Sequence, residues 1–561
     1  MKYIIIGAVA GGASTAARIR RLDETAEIIM IEKGEYVSYA NCGLPYYIGD
    51  VIKDRNKLFI QDAASFKRRF NIDVKVRTEA IEIHPSEKKV TLLDLYTQKT
   101  YTESYDKLVL STGAVPIKPP IPGIHSANVF TIRDVHDTDL VKAVIQNQKV
   151  KHATVVGGGF IGIEMMENLT HLGIKTRVIE RAPQLLAFLD EDMALMAKSE
   201  IEANGVVVDV NNGLSEIRDN ADGSKTIKLE NGDEFQTDMV ILSIGVLPNN
   251  FLAKAAGLEI GQKGGVLVDE FMQTSNSDIY AVGDVIEFHH PICNASYPIY
   301  LAGPANKQGR ICANNIVNGN TKKFKGSVAT TIVKVFGKTI AATGSNSRLL
   351  KNHNIKHITS ITHSSSNAGY YPGSTPMVIK IAFDPESGVL LGAQIIGEDG
   401  VDKRVDVFST YVQNKQTIDD LMEFEQAYAP PFSSAKDPVN MAGFVANNIM
   451  DKVMQIYNPE DAIEISKKEF LIDVRTPEEF EAGTIPNARN IELDELRNHL
   501  TEIPKDKTIY VFCEVGLRGY LASRILVQHG FEVRNLSGGY RFWKNTYGLI
   551  VGESEKAFTY N

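Results

Sequence analysis

The chain has 561 residues, 43% of them hydrophobic and 23% charged, with a formal net charge of −9. That length corresponds to roughly four domains of about 150 residues each, and the composition is that of a globular protein able to bury several cores. The acidic balance and the lack of any Lys/Arg block argue against a nucleic-acid binder, and no run of 18 apolar residues argues for a membrane span.

The N-terminus begins Met1-Lys2 and turns apolar, as a secretory leader does. It continues, however, as strand, Gly-rich turn, helix and second strand, which a cleaved leader would not. The turn reads Gly7-Ala8-Val9-Ala10-Gly11-Gly12, and the following strand (Ile28 to Ile31) ends in Glu32, 20 residues after Gly12. This is the distance at which a βαβ unit places a ribose-binding acid, although Val9 stands where the second fingerprint glycine belongs.

Next comes Ser38-Tyr39-Ala40-Asn41-Cys42-Gly43-Leu44-Pro45-Tyr46-Tyr47. Cys42 has no second cysteine in the five residues before it or the ten after it. A dithiol reductase needs a resolving thiol nearby. A lone thiolate instead holds its substrate as a mixed disulfide or persulfide, or becomes a sulfenate. The four cysteines, at 42, 293, 312 and 513, suit neither a disulfide framework nor a zinc site, so no metal is expected and a reducing cytosol fits.

Leu108 to Val109-Leu110-Ser111-Thr112-Gly113 reads as a strand ending in a small-residue turn. A second βαβ unit follows, Ala153 to Gly162, with Gly157-x-Gly159-x-x-Gly162 and Glu180 lying 18 residues further on. Its glycines admit a pyrophosphate to a helix N-terminus. The carboxylate favours NADH over NADPH, a preference that neighbouring Arg181 would soften. Val240 to Gly245 repeats the strand–turn form, and Asp278 to Gly283-Asp284 is a strand ending in Gly-Asp. The second unit therefore reads as inserted into the first. From about 327 strand-like runs alternate (Ala329 to Phe336, Met377 to Phe383, Val389 to Ile396), with an amphipathic helix over 401–414. Residues 448–465 read as a linker, after which an independent α/β pattern starts.

That last segment carries its own thiol. Val511-Phe512-Cys513-Glu514-Val515-Gly516-Leu517-Arg518-Gly519 reads as strand, loop and then helix from Tyr520. Backbone N–H groups of such a loop cradle an anion, and Arg518 can close it over a thiolate or persulfide. Glu514 is an unusual neighbour for an anionic site and disfavours thiosulfate as donor. Cys293 and Cys312 carry no motif and read as inert thiols.

Residues 1–447, with their two nucleotide units, the TG and GD turns and an α+β segment, resemble the flavoprotein disulfide reductases that bind two dinucleotides. The single-cysteine motif resembles the coenzyme A-disulfide reductase branch. Asp473-Val474-Arg475, Gly483 to Asn490 and the Cys513 loop resemble the rhodanese domain. The resemblance implies an α/β fold of two Rossmann-like domains, one inserted in the other: FAD-binding at 1–120 and 246–326, NAD(P)H-binding at 121–245. An α+β dimerisation domain at 327–447, the linker and a C-terminal α/β rhodanese domain at 466–555 would follow.

It also implies FAD contacts from Gly7, Ala10, Gly11, Gly12, Glu32, Lys33, Thr112, Gly113, Asp284 and Ala302. NADH would sit on Gly157, Gly159, Gly162 and Glu180. Coenzyme A would be held by Ser14, Arg18 and Arg21 on the first helix, by Ser38 and Asn41, and by Lys436. One family lysine falls at Phe70, with Lys67, Arg68 and Arg69 beside it. Gln426 to Pro438 resembles the family's dimer-domain signature, which reaches the other subunit's cysteine. Tyr428 and Tyr370 would then assist a leaving thiolate, with Tyr371 an equal candidate on spacing.

The activity implied is cytoplasmic, homodimeric, NADH-dependent reduction of coenzyme A persulfide, polysulfide or coenzyme A disulfide through Cys42, with Cys513 handling sulfane sulfur. The alternative is an NADH oxidase or peroxidase that cycles Cys42 as a sulfenate. Ala10 opposes it, because the peroxide-reducing members carry a histidine at that place.

Overall fold

In the computed structural model, which describes residues 1–548, the chain divides into two units. One comprises Met1–Leu185 with Gly205–Ala329; the other comprises Leu186–Asn204 with the residues from Thr330 on. No described helix is long and apolar enough to cross a membrane.

The first unit is built on two five-stranded parallel sheets. One runs in the order Ile279–Ala281, Lys107–Leu110, Lys2–Ile6, Glu27–Ile31, Asp73–Lys75. Ile4 lies opposite Ile29 and Leu108, and Tyr3, Ile4, Ile5 and Met30 are buried, as strands covered on both faces must be. The sheet order reverses at Lys2–Ile6, so a crevice opens at the C-terminal ends of its strands. Helix α1 (Ala10–Leu22) starts there, and the single-cysteine motif follows as a 3₁₀ turn at Asn41–Gly43 leading into the short α2 (Leu44–Ile48).

The second sheet runs Val207–Asp209, Lys175–Ile179, His152–Val156, Met239–Leu242, Val129–Phe130. Its crossover helix is α3 (Phe160–His171). Both turns demand glycine for the same two reasons. Gly7 and Gly157 have φ of 98° and 108°, and a Cβ at Gly12 or Gly162 would fall 1.8 or 1.9 Å from the carbonyl oxygen of Gly7 or Gly157. Late in this unit α4 (Ala302–Asn318) lies against α1. The approach is close enough that a Cβ at Gly309 would come within 2.6 Å of the Gly11 oxygen.

In the second unit an antiparallel sheet runs Thr331–Val335, Lys338–Gly344, Leu390–Gly397, Pro376–Phe383, Ile358–Ser365, flanked by the expected helix at Val401–Gln413. Two buried cations with their carboxylates fix it. Lys380 meets Asp192 at 2.7 Å and Asp190 at 2.9 Å, and Arg404 meets Asp437 at 2.8 Å with both side chains 1% exposed. Asp437 also caps α5 (Pro438–Met450) in a capping box with Asn440.

A parallel sheet follows, in the order Gln455–Tyr457, Val533–Leu536, Ile509–Phe512, Phe470–Asp473, Arg489–Asn490. Its edge strand Gln455–Tyr457 belongs to the stretch read above as linker. Three residues are too few to show a period of two, and Asn458-Pro459 masked them. Helix α6 (Leu517–Gln528) starts at Leu517 rather than Tyr520, because Gly516 at φ 104° releases the chain into helix at once. Strand Ile358–Ser365 is the sheet edge, and the C-terminal sheet's loop covers it. The Ile361 N–H donates to Ser537 Oγ at 3.0 Å, and His363 Nε2 lies 2.9 Å from the Gly538 oxygen. Residues 549–555, the end of the expected last domain, lie outside the described residues.

Candidate functional site

The crevice at the first Gly-rich turn is a cleft of about 740 Å³ lined by Gly7, Ala10, Gly11, Glu32, Lys33, Asn41, Thr112, Gly113 and Asp284 among others. Glu32 is fixed at its rim: its carboxylate accepts from the Ala8 N–H at 3.0 Å and the Gly34 N–H at 2.8 Å. That leaves it at the strand end, where a ribose diol would meet it. Thr112 anchors its own turn by donating to the Asn249 oxygen at 2.7 Å. Lys33 pairs with Glu79 at 2.8 Å. Asp284 sits in a 3₁₀ turn beneath the Gly283 N–H, which donates to Gln308 at 2.8 Å. Burial pushes the Asp284 carboxyl up, against the pull of Arg133.

Gly12 is tucked against Gly7 and serves the turn. Ala302 is exposed in the first turn of α4, and the α4 residue that lines the cleft is Ala305, one turn on. The donor set and the glycine cradle fit a flavin dinucleotide. The imidazole that lines the cleft is His136; at the turn itself stands the Ala10 methyl.

The second turn repeats this geometry. Glu180 accepts from the Gly158 N–H at 2.7 Å and the Ala182 N–H at 2.8 Å. A Cβ at Gly159 would meet nothing within 4 Å, so this glycine leaves open space at the helix N-terminus, whereas Gly157 and Gly162 are needed for packing. Such a cradle fits a pyrophosphate. Arg181 turns to Glu230, 3.2 Å away.

Cys42 is exposed on the 3₁₀ turn before α2. Protein still crowds it on one side, and that loss of hydration, with the carboxylates of Glu164 and Asp284, pushes its thiol up. Glu164 comes from α3 and accepts a 3.3 Å hydrogen bond from the Tyr46 hydroxyl on α2. Burial raises its carboxyl to about 7, with Glu167 adding to the effect and the Tyr46 bond opposing it. The sequence reading missed Glu164 and Tyr46. The available signal was an acid two residues past the fingerprint Gly162, inside the otherwise apolar run Phe160-Ile161-Gly162-Ile163-Glu164-Met165-Met166.

Of the three arginines in α1, Arg20 is structural: it is 4% exposed and donates to the backbone oxygens of Phe70, Asp23, Glu24, Ala26 and Asn71. Arg18 donates to Asn314 on α4 at 3.2 Å, Arg21 is exposed and Ser14 donates to Asn306 on α4 at 2.5 Å. Ser38 adopts φ 46°, and its oxygen accepts from the Ile60 N–H, which fixes the start of the Cys42 loop. The helix at Ala63–Phe70 supplies less than its charge suggests. Phe70 packs on Phe66, and Lys67 pairs with Asp73 at 2.8 Å.

In the second unit, Tyr370 and Tyr428 are brought together. Their hydroxyls lie 3.0 Å apart and both rings are exposed. Tyr370, not Tyr371, makes this contact. The mutual hydrogen bond raises the Tyr428 phenol. The signature loop is held from below by Ser433, whose hydroxyl donates to Asp437 at 2.6 Å, while Lys436 stays exposed.

Cys513 is 1% exposed at the end of its strand, and the Gly516 N–H donates to its Sγ at 3.2 Å. The Tyr540 and Arg541 N–H groups donate to the Cys513 and Glu514 oxygens, and a Cβ at Gly539 would collide with both. Glu514 is accounted for: Arg475 holds it at 3.2 Å and Arg541 at 3.0 Å. Arg518 donates twice to Glu479, at 2.6 and 2.7 Å, and this fork drives the Glu479 carboxyl down to about 2. The expected loop-closing cation is thus already paired. Cys293 and Cys312 are both buried.

The sequence profile of the pyridine nucleotide-disulphide oxidoreductases matches residues 1–309, that of their dimerisation domain residues 330–438, and that of the rhodanese-like domain residues 458–546. The coenzyme A disulfide reductase of Staphylococcus epidermidis is 38% identical over 445 residues, covering 79% of this chain and 99% of that protein. The reduced Bacillus anthracis CoADR-RHD structure superposes with a TM-score of 0.95 at 46% identity, over 97% of this chain and 98% of that one. The NAD-dependent persulfide reductase of A. fulgidus gives 0.90 at 38%, over 97% and 100%.

Proposed function

Because this chain belongs to the pyridine nucleotide-disulphide oxidoreductase family and continues into a rhodanese-like domain, we propose that it uses NADH to reduce coenzyme A persulfide, polysulfide and coenzyme A disulfide through Cys42. The observation that carries this reading is Cys42 beside the dinucleotide cleft, with carboxylates rather than a second thiol around it. The names of its relatives, coenzyme A disulfide reductase and persulfide reductase, point the same way.

Gly7, Gly11, Glu32, Thr112, Gly113 and Asp284 hold FAD, which when bound supplies the two-electron path from NADH to sulfur. Glu180 and the Gly157–Gly162 turn seat NADH. The Cys42 thiolate attacks one sulfur of the substrate. The sulfur–sulfur bond breaks, coenzyme A or hydrogen sulfide leaves, and a mixed disulfide or persulfide remains on Cys42. Two electrons and a proton then release the second thiol and restore the thiolate.

The Tyr370–Tyr428 pair, reaching Cys42 from the partner subunit of a homodimer, delivers the proton to the leaving sulfur. Cys513, with the Gly516 N–H on its Sγ, carries sulfane sulfur as a persulfide. The Glu479 fork leaves Arg518 to orient the loop, and a donor bearing less charge than thiosulfate suits a site whose arginines are already neutralised. The domains implied are FAD-binding at 1–120 and 246–326, NADH-binding at 121–245, dimerisation at 327–447 and the sulfur-handling domain beyond, in a cytoplasmic enzyme.

The test offers coenzyme A persulfide, coenzyme A disulfide and hydrogen peroxide separately and follows NADH. Sulfur substrates should be consumed fastest, and Cys42→Ser should abolish this while flavin still binds. Faster turnover on peroxide would overturn the assignment.

A further inference from the structure

The contact between α1 and α4 gathers positive charge for which the described residues supply no ion pair. Ser14 bonds Asn306 and Arg18 bonds Asn314. Between these two contacts, at i+4 from Asn306 and i−4 from Asn314, α4 carries Arg310, which is exposed. Residues four apart share a helix face, so Arg310 stands on the face that meets α1. The Gly309 contact draws the two helices together at that level.

Arg18, Arg21 and Arg310 are close enough that Arg310 and Arg21 both push the Arg18 guanidinium down, after burial. Among the described residues none of the three makes an ion pair, in a chain whose net charge is −9. Arg18 Nε is buried with no hydrogen-bond partner. Three guanidiniums held together without a carboxylate repel one another, and a donor left unpaired costs about 1–3 kcal/mol. A multiply charged anion relieves both.

We infer that Arg310 on α4 is a specificity-determining residue that completes, with Arg18 and Arg21, a three-arginine seat for the phosphates at the nucleotide end of coenzyme A. This rests on the substrate reading above and deepens it. The helix Ala63–Phe70 cannot supply that cation from Phe70, whose ring packs on Phe66; α4 supplies it instead. Arginine suits the place, because its planar fork binds phosphate bidentately. The seat distinguishes coenzyme A disulfide from disulfides that share its pantetheine arm but lack the nucleotide.

The experiment uses the FAD-loaded enzyme and its Arg310→Ala and Arg310→Lys variants, with coenzyme A disulfide and pantetheine disulfide as substrates. Adenosine 3′,5′-bisphosphate serves as a binding probe, titrated calorimetrically. For Arg310→Ala, the ratio of kcat/KM for coenzyme A disulfide to that for pantetheine disulfide should fall about 10-fold, mainly through KM. The bisphosphate Kd should rise by a similar factor, as expected for one charge-assisted contact. Arg310→Lys should recover part of both, and the salt dependence of bisphosphate binding should become shallower in Arg310→Ala. Unchanged bisphosphate affinity, or equal losses on the two disulfides, overturns the role of Arg310. A parent enzyme that reduces no coenzyme A compound overturns the substrate reading instead, while the bisphosphate titration still decides Arg310.

Discussion

Glu180 shows how one side chain serves structure and selectivity together. Its carboxylate receives two backbone N–H groups of the turn and, in the function proposed above, meets the adenine ribose of NADH. Glu180→Ala should therefore raise KM for NADH and shift the NADH/NADPH preference by about 10-fold or more towards NADPH, in line with a charge-assisted contact; steady-state kinetics with both cofactors check this. Glu164 gives a prediction with a sign. Its folded carboxyl sits near 7, above the ordinary carboxylate value, so folding favours the protonated form. That advantage is present at low pH and is lost as pH rises through about 7. Glu164→Gln should consequently gain stability relative to the parent between pH 5 and pH 8, by at most about 3 kcal/mol. Urea melts at both pH values measure it, and a pH-independent difference would remove the argument.

At the level of elements, the two Gly-rich turns were legible because their chemistry is local: a positive φ, a carbonyl against a missing Cβ and an acid one strand later all leave marks in sequence. The Cys42 turn was legible for the same reason. The buried pair of Arg404 and Asp437 was not, since its members stand 33 positions apart and only packing reveals them. Gln455–Tyr457 was hidden by its brevity. Arg20 looked like its neighbours Arg18 and Arg21, and only the chain's return at Phe70 and Asn71 shows it turned inward. Arg404→Ala leaves Asp437 buried and uncompensated beneath the Tyr428 loop and should cost about 3–5 kcal/mol. Differential scanning calorimetry should show the loss, and a change within about 1 kcal/mol would mean that water replaces the arginine.

For the whole molecule, the function proposed above divides sulfur chemistry between Cys42, exposed with the carboxylates of Glu164 and Asp284 near it, and Cys513, buried with the Gly516 N–H on its Sγ. Cys513→Ser should remove sulfurtransferase activity and leave coenzyme A disulfide reduction near the parent rate; if both collapse, the two thiols do not act as separate modules. The sequence motifs showed each thiol, because each lies in one short loop. They did not show that the loop beside Cys513 is tied to Ile361 and His363, since that tie crosses 175 and 176 positions.

The tie matters for solubility. An uncovered outer strand is a template for pairing with other chains, and Ile358–Ser365 would become such a strand without the loop that Ser537 and Gly538 belong to. A chain ended after Met450 should self-associate at concentrations where the full chain does not, as light scattering can read. A simple cut between the two modules would therefore leave that strand open. Any ancestor or engineered product lacking the last one must shield that margin by other means, with charge, proline or a substitute loop.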